Sequence, residues 1–359
     1  MSPIRPTDEM IRKLLDGHRH EGVDPSTAHV VADLSPGLSD ASIVRVDLGG
    51  PSSWGRFVIA KIGSAYGDEV PGSFRRGPLG AHREADVYRT GVVQALTKKI
   101  VTPALHAIDY IDQAVCLWLE DVGSRLDVTW NVTRAVRAAE SISQLHQGDL
   151  PSLEPKVDWR SNEFDAFRHH VPLAREQVLA ALDDHGDHRS VLSVQALRCG
   201  LRLLDNAASY ARELAAAPTC FNHGDFHIDN AGWSGDARLL LIDWAQAGTG
   251  PIGGDIATFL SNYRARGGST GSLTRRQFDT LIIDSYCRAL SDGGADDTVI
   301  RAACRVIDLW AVSWAVQVRL GPGLAAARRE DLDPSIRTGI ESDIAEGIER
   351  AQDAAERLG

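Results

Sequence analysis

One stretch of the sequence, residues 220–243, constrains the fold and the chemistry of this chain more than any other. It reads CFNHGDFHIDNAGWSGDARLLLID and combines many carboxylate and amide side chains with apolar residues at strand-like spacing. Carboxylate and amide oxygens are the ligands that hard divalent cations bind in proteins. A single Asp in such a stretch is usually a turn or cap residue, but the whole set at this spacing indicates a functional site.

The second half of this stretch predicts a β-hairpin. Residues 238–242 (RLLLI) form a short apolar run and residues 234–237 (SGDA) are typical of a turn, so residues 231–233 (AGW) should pair with the apolar run. This pairing returns Asp243 to the level of Asn230. Magnesium usually takes one or two protein ligands and leaves its other positions to phosphate and water, so we expect Asn230 and Asp243 to hold Mg²⁺ together with nucleotide phosphates.

The first half of the stretch has the spacing HGDxxxxN, which His223, Asp225 and Asn230 occupy. In the catalytic loop of kinases this Asp accepts the proton of the substrate hydroxyl and this Asn holds a magnesium ion. We therefore expect Asp225 to face an incoming hydroxyl group. Only eleven residues separate Asp243 from Asp255, whereas a protein kinase needs a long segment there to dock a peptide, so the predicted acceptor is a small molecule.

Upstream of this stretch, the sequence predicts an antiparallel sheet that carries a buried lysine. Residues 29–50 read as two strands joined by a turn, and residues 56–63 read as a third strand. Lys61 lies in the middle of the third strand, where a charged side chain needs a partner. A helix predicted over residues 81–97 carries Glu84 on its inward face, so we expect an ion pair that fixes the Lys61 ammonium against nucleotide phosphates.

Four further nucleotide-binding positions are predicted from their place in the chain. The first turn of the sheet lies where a kinase fold places a loop over the phosphates, which makes Gly37 and Ser39 candidates, although a plain hairpin turn is equally compatible because the GxGxxG pattern is absent. Residues 119–123 leave the sheet and start a helical region, which predicts the hinge between two lobes. Glu120 and Val122 are expected to bind adenine there through their backbone groups.

The rest of the chain is predicted to be mainly helical. His146 is expected to be a helix-end residue near the C-terminal dipole, and Asp255 is expected to cap the helix that begins at Ile256. The predicted helices cover residues 7–19, 132–147, 162–184, 190–216, 274–290, 297–319 and 335–358.

Composition limits the partners of the chain. At 359 residues it is long enough for two lobes with a substantial core. The net charge of −11 argues against nucleic acid or an anionic membrane as a partner and favours a cationic or neutral substrate, although general solubility explains it equally well. Scattered cysteines, no signal-peptide stretch and no long apolar window predict a cytoplasmic protein without a zinc site or a membrane span.

With HGDFHIDN, LIDWAQAGTGP and GGDIATFL in this order, and Lys61 and Glu84 upstream, the chain resembles the aminoglycoside phosphotransferase and choline kinase superfamily over residues 35–262. The resemblance implies an α+β, two-lobed protein-kinase-like fold with an antiparallel β N-terminal lobe and a mainly helical C-terminal lobe. We divide these lobes at residues 1–119 and 120–359.

The resemblance also implies ATP, with GTP possible, and Mg²⁺. The implied roles are Asp225 as the base, Asn230 and Asp243 as metal ligands, Lys61 on the phosphates, Glu84 orienting Lys61, and His223 bracing the catalytic loop.

The predicted activity is transfer of the ATP γ-phosphate to a hydroxyl group of a small molecule by an alcohol-group phosphotransferase. An aminoglycoside-like antibiotic ranks first as the acceptor, because a negative lobe suits a cationic ligand, and a sugar, an amino alcohol or an amino acid follows. A nucleotide-binding pseudokinase is the alternative of another class, although such a protein has no need for the whole set of catalytic residues. Neither the acceptor nor the oligomeric state follows from the motifs.

Overall fold

A computed structural model describes residues 6–34, 41–64, 81–111, 114–123, 126–148, 163–183, 192–329 and 331–358. These residues form an α+β fold of two lobes. The first part of the chain contains α1 (Asp8–Leu15), β1 (His29–Asp33), β2 (Ser42–Ser52), β3 (Gly55–Ser64), α2 (Ala81–Thr90), α3 (Val92–Leu96), β4 (Ile100–Val101), β5 (Leu105–Ile111) and β6 (Ala114–Glu120).

The N-terminal lobe is built on a five-stranded antiparallel sheet with the strand order β1-β2-β3-β6-β5. Side chains alternate between the two faces of a strand, so Ala60 and Ile62 face the core that contains α1, whereas Ile59 faces the cluster that contains Ala85 of α2. The same alternation places Lys61 on the α2 face of the central strand. The predicted meander is confirmed, and it positions the lysine against α2.

The second part of the chain contains most of the helices. Its elements are α4 (Val132–Gln147), α5 (Glu163–Asp183), α6 (Val194–Asp205), α7 (Ala207–Ala215), β7 (Thr219–Asn222), β8 (Ala231–Trp233), β9 (Leu239–Leu241), β10 (Gly248–Pro251), α8 (Gly254–Asn262), α9 (Arg275–Asp292), α10 (Asp297–Trp314), α11 (Leu324–Ala327) and α12 (Pro334–Leu358). None of the helices in the described ranges is long and apolar enough to cross a membrane.

Three predicted helices are interrupted. The helix predicted over residues 81–97 is divided into α2 and α3 at Gly91, whose φ of 62° lies in the left-handed region that glycine adopts without strain. The helix predicted over residues 190–216 is divided into α6 and α7 at Asn206. The helix predicted over residues 297–319 is a regular α-helix only as far as Trp314, the end of α10, and it continues as a π-helix (Ala315–Gly323). The π-helix contains Pro322, which has no amide hydrogen to donate to a regular helical bond.

Two short strand pairs hold the 220–243 stretch in place. The predicted hairpin is confirmed, because Ala231 pairs with Leu241 and Trp233 pairs with Leu239. On the other side, β7 and β10 pair in antiparallel register, which joins the start of the stretch to the segment that follows Asp243. Strand β4 pairs in parallel with β9, so α3 and β4 share the apolar core of the helical lobe although they precede β5 and β6 in sequence.

Candidate active site

Lys61 joins the two lobes through a pair of ionic contacts. Its Nζ atom lies 2.5 Å from Oε2 of Glu84 in α2 and 2.7 Å from Oδ1 of Asp243, just beyond β9. Lys61 is 4% exposed and Glu84 is 1% exposed. Burial alone would lower the pKa of Lys61, but the charges of Glu84 and Asp243 outweigh it and raise the pKa, so the ammonium group remains protonated.

Asp243 occupies a strained turn that presents its carboxylate between the lobes. Its φ of 61° is unusual for a residue with a side chain. The amide of the next residue, Trp244, donates to Oε1 of Glu84 at 3.3 Å, and the buried Trp244 ring packs 4.5 Å from the His223 ring. Burial opposes ionisation of Asp243, but Lys61 lowers its pKa, so the carboxylate is charged and can bind a cation.

Asn230 and Asp225 face each other across the loop between β7 and β8. The Nδ2 atom of Asn230 donates to the backbone oxygen and to Oδ2 of Asp225, both at 3.1 Å. Because these bonds use the amide nitrogen, Oδ1 is the atom through which Asn230 would bind a metal ion. The Asp225 side chain is 28% exposed and so remains accessible to a hydroxyl group.

His227 is a residue of this loop that the sequence analysis missed. It is 5% exposed, and its Nε2 atom lies 3.2 Å from Nδ2 of Asn230 and 3.5 Å from Oδ2 of Asp225. The His227 ring therefore lies against both the proposed base and the proposed metal ligand of this loop. The sequence feature that could have identified His227 is its position between Asp225 and Asn230 in HGDFHIDN.

His223 lies behind the loop, where it is fully buried. Its Nε2 atom donates to the carbonyl of Ile242 at 2.9 Å, and its Nδ1 atom accepts from the Asp225 amide at 3.3 Å. Burial lowers its pKa and outweighs the nearby charge of Asp255, so the ring is neutral. His223 therefore connects the loop to the strand before Asp243 and does not face the open side of the site.

Asp255 anchors the loop and does not cap its helix. Gly253 occupies the N-cap position of α8, whereas the Asp255 carboxylate accepts the amides of His223 at 2.8 Å and Gly224 at 2.9 Å. The expectation that Asp255 caps the helix at Ile256 was wrong, because the helix already begins at Gly254, which places Asp255 within its first turn, and the Asp255 carboxylate bonds the loop amides.

His146 also has a role that its helix-end position did not predict. It lies in the last turn of α4, but its side chain is fully buried. Its Nε2 atom lies 3.1 Å from Oδ2 of Asp255, and its Nδ1 atom lies 2.6 Å from the hydroxyl of Tyr286 in α9. His146 therefore orients the carboxylate that holds the loop.

Gly224 is required by the geometry of this loop. Its φ is 84°, and a Cβ atom built on it would lie 2.2 Å from the carbonyl oxygen of Gln246. Any side chain would force apart the loop and the segment that follows Asp243. The glycine in HGD therefore permits the close approach that brings Asp225 and Asp243 into one site.

The predicted hinge positions follow β6. The Glu120 amide donates to the carbonyl of Ala104 at 2.9 Å, so that amide is not directed toward a nucleotide. Val122 is half-buried and follows the last residue of the strand by two positions. Gly37 and Ser39 lie outside the described residues.

The oxygen ligands present fit a magnesium ion that is shared with a nucleotide. Within the described ranges, no group of three or more His, Cys, Asp or Glu side chains could hold a metal ion by itself. Asn230 and Asp243 contribute one amide and one ionised carboxylate, and the Ile242 amide links their backbones by donating to the Asn230 carbonyl at 3.0 Å. A site with two protein ligands leaves the remaining positions to phosphate and water, as Mg²⁺ prefers.

Comparison with known proteins identifies one family. The model of the phosphotransferase enzyme family matches residues 73–293. No curated protein sequence matches the chain significantly.

Solved structures share the fold at low sequence identity. An aminoglycoside phosphotransferase from Alicyclobacillus acidocaldarius has a TM-score of 0.57 and 16% identity, covering 100% of this chain and 96% of its own. The amicoumacin kinase hAmiN has a TM-score of 0.54 and 12% identity, with coverages of 93% and 92%. The ethanolamine kinase of Plasmodium vivax has a TM-score of 0.53 and 13% identity, with coverages of 97% and 88%.

Proposed function

The chain belongs to the phosphotransferase enzyme family, and we propose on this premise that it transfers the γ-phosphate of ATP, with Mg²⁺, to a hydroxyl group of an aminoglycoside-like antibiotic. Membership of the family makes it a small-molecule phosphotransferase with an alcohol group as the acceptor. The nucleotide, the metal ion and the antibiotic go beyond what membership establishes.

The contact of Lys61 with both Glu84 and Asp243 is the observation that carries this proposal. Burying an ammonium group between two carboxylates costs desolvation free energy, and apolar side chains would stabilise a purely structural contact as well or better. In phosphoryl transfer the same three charges have a use, because a fixed ammonium group binds phosphate oxygens and a carboxylate binds the metal ion. This argues for an active kinase over a pseudokinase.

The site residues divide the work of the transfer. Asn230 and Asp243 would hold Mg²⁺, which supplies charge neutralisation on the phosphates when bound. Lys61, oriented by Glu84, would bind the phosphates. Asp225 would orient the acceptor hydroxyl and take its proton late in the transfer, because a loose transition state makes positioning more important than a strong base.

The loop geometry keeps the proposed base in position. Asp225 is held from one side by the Asn230 amide and from behind by His223, whose ring accepts the Asp225 amide hydrogen. These contacts support the bracing role that we propose for His223. We propose that adenine binds at the hinge, to Val122 and to the carbonyl of Glu120. We also propose that the lobes divide between residues 119 and 120, because β6 ends at Glu120.

Charge supports a cationic acceptor. The chain has a net charge of −11, and the open side of the site contains the carboxylate of Asp225. Such a surface attracts an amine-bearing ligand. An antibiotic with amino groups ranks first, and an amino alcohol, the acceptor class that the name of the ethanolamine kinase indicates for that protein, ranks second. A sugar or an amino acid follows, and GTP remains the alternative donor.

Replacement of Lys61 tests this function with a matched control. We expect Lys61→Met to lower kcat/KM for ATP by about 100-fold or more, because the phosphates lose their fixed ammonium group. Lys98 is exposed, so Lys98→Met should leave the rate unchanged. Rates are measured as Mg²⁺-dependent nucleotide turnover with and without candidate acceptors. Equal activity of the two variants would contradict the proposed phosphate site, and a wild-type protein without any turnover would favour the pseudokinase.

A further inference from the structure

Two cysteines in neighbouring helices of the C-terminal lobe lie close enough to react with each other. The Sγ atoms of Cys287 in α9 and Cys304 in α10 are 3.0 Å apart, about 1 Å longer than a disulfide bond. Both residues are partly exposed, whereas the other three cysteines are buried. A small rotation of the two side chains would therefore bring the sulfur atoms to bonding distance, and a small oxidant can approach them from solvent.

The loop between β7 and β8 (residues 223–230) is the proposed catalytic loop, and Asp255 at the start of α8 supports it by accepting two of its backbone amides. Each cysteine follows a residue that contacts this support. Tyr286, which precedes Cys287, bonds His146 through its hydroxyl, and His146 in turn bonds Asp255. Ala303, which precedes Cys304, packs against Gly253 so closely that a Cβ atom on that glycine would lie 2.8 Å from the Ala303 carbonyl oxygen. A change in the spacing of α9 and α10 would therefore shift His146 through Tyr286 and Gly253 through Ala303. These two contacts lie on the two sides of the turn that begins α8.

We propose that Cys287 and Cys304 form a redox-active dithiol, which a peroxide converts to a disulfide that slows phosphoryl transfer by displacing the support of the catalytic loop. One sulfur attacks a peroxide oxygen, so that an S–O bond forms, the O–O bond breaks and hydroxide leaves as water with the thiol proton. The second sulfur then attacks the sulfenic acid, so that the S–S bond forms, the S–O bond breaks and a second water leaves. Two thiols are oxidised and one peroxide is reduced to two waters.

The charges around the pair select the class of oxidant. Asp284 lies one turn before Cys287. Asp308 lies one turn after Cys304, and Arg357 contacts the Asp308 carboxylate at 2.6 Å. The exposed carboxylate of Asp284 repels an anionic oxidant such as glutathione disulfide from the sulfur atoms. A neutral peroxide experiences no such repulsion, and hydrogen peroxide is therefore the appropriate probe.

Thiol counting and peptide mapping test the disulfide itself. The full-length protein is treated with hydrogen peroxide, quenched and digested, alongside Cys287→Ser and Cys304→Ser. We expect wild type to lose two of its five thiols, to give one cross-linked peptide pair that contains Cys287 and Cys304, and to recover both thiols with dithiothreitol. Neither variant should give the cross-link. Loss of other thiols instead, or sulfinic acid at the pair without a cross-link, would overturn the proposal.

Hydrogen exchange tests the coupling to the catalytic loop and does not depend on the identity of the acceptor. In the oxidised protein, the amides of His223 and Gly224 should exchange about tenfold faster, because their bonds to Asp255 open more often. Turnover should fall severalfold and return on reduction, and peroxide-treated Cys287→Ser should show neither effect. A disulfide that leaves exchange and turnover unchanged would refute the coupling, whatever the outcome of the test of Lys61.

Discussion

The Asp255 carboxylate contacts residues from distant parts of the chain. It accepts the amides of His223 and Gly224, and His146 reaches it from 109 residues earlier in the sequence. Local patterns could place Asp255 at the start of a helix and His146 at the end of one, and both placements were correct. Their contact could not be predicted, because it depends on how α4 packs against α8, which neither periodicity nor spacing encodes.

Asp225 is the residue whose replacement tests the proposed base. We expect Asp225→Asn to lower kcat by about 100-fold or more, because the amide cannot take the hydroxyl proton. Nucleotide affinity should stay nearly unchanged, since Asp225 is proposed to face the acceptor and not the nucleotide. Asp229→Asn is the matched control in the same loop, because Asp229 pairs with Arg266 at the surface and should change the rate little. Equal loss of turnover and of nucleotide binding in folded Asp225→Asn would contradict its role as the base.

The pair of Asp255 and His146 predicts how stability depends on pH. Burial alone would raise the pKa of Asp255, but the hydrogen bond and charge of His146, with other contacts, lower it below the ordinary value of 3.8. A lowered pKa in the folded state stabilises the fold above the unfolded-state pKa, and this contribution is lost as the pH falls through the folded-state value.

Removing His146 should therefore shift the acid limb of the stability profile. We expect His146→Phe to lower the free energy of unfolding by about 3 kcal/mol at neutral pH, because Asp255 loses its buried partner. Acid unfolding should also begin at a higher pH. Urea denaturation from neutral to acid pH measures both effects, with His20→Phe as a surface control. Profiles that run parallel in wild type and His146→Phe would exclude the proposed coupling.

At the level of elements, the hairpin of β8 and β9 was predictable because turn residues separate two apolar runs within one short stretch. The interruptions of the longer helices were harder to foresee. Gly91 is compatible with a helix interior, and only its packed position shows that it adopts the left-handed conformation. The π-helix that follows α10 likewise needs the packing of α5 and α12 around it, which the sequence pattern of one helix does not contain.

Gly224 allows a test at the scale of the catalytic loop. We expect Gly224→Ala to lower turnover by more than about tenfold, because the methyl group would collide with the Gln246 carbonyl and strain a backbone of positive φ. Gly235 lies in the turn between β8 and β9 with open space around it, so Gly235→Ala is the matched control. Steady-state rates and thermal unfolding are compared for both variants. Similar turnover in the two variants would show that the close approach at Gly224 is not needed.

The whole molecule places one lysine from the sheet between two carboxylates on different elements. The sequence supported the pairing of Lys61 with Glu84 because a charged residue in an apolar strand needs a partner. The fold class followed from the family resemblance that the motifs HGDFHIDN, LIDWAQAGTGP and GGDIATFL carry. The acceptor could not be predicted, because one fold serves many acceptors and no motif in this chain marks an acceptor pocket.

The salt dependence of the acceptor KM distinguishes a cationic acceptor from a neutral one. Because the chain carries a net charge of −11, a cationic acceptor should bind more weakly as salt screens the attraction. We expect its KM to rise severalfold as the screening length falls from about 30 Å at 0.01 M to about 8 Å at 0.15 M ionic strength. The KM of a neutral sugar should change little. A salt-independent KM for an amine-bearing acceptor would remove the electrostatic argument for that class.

Mass spectrometry of an acceptor panel tests the central claim most directly. The full-length protein is incubated with ATP, Mg²⁺ and a panel of amine-bearing antibiotics, amino alcohols, sugars and amino acids, beside Asp225→Asn. The proposed function predicts that an amine-bearing antibiotic gains the mass of one phosphoryl group on a hydroxyl, and that Asp225→Asn loses this product. A protein that binds ATP but phosphorylates no member of the panel would contradict it.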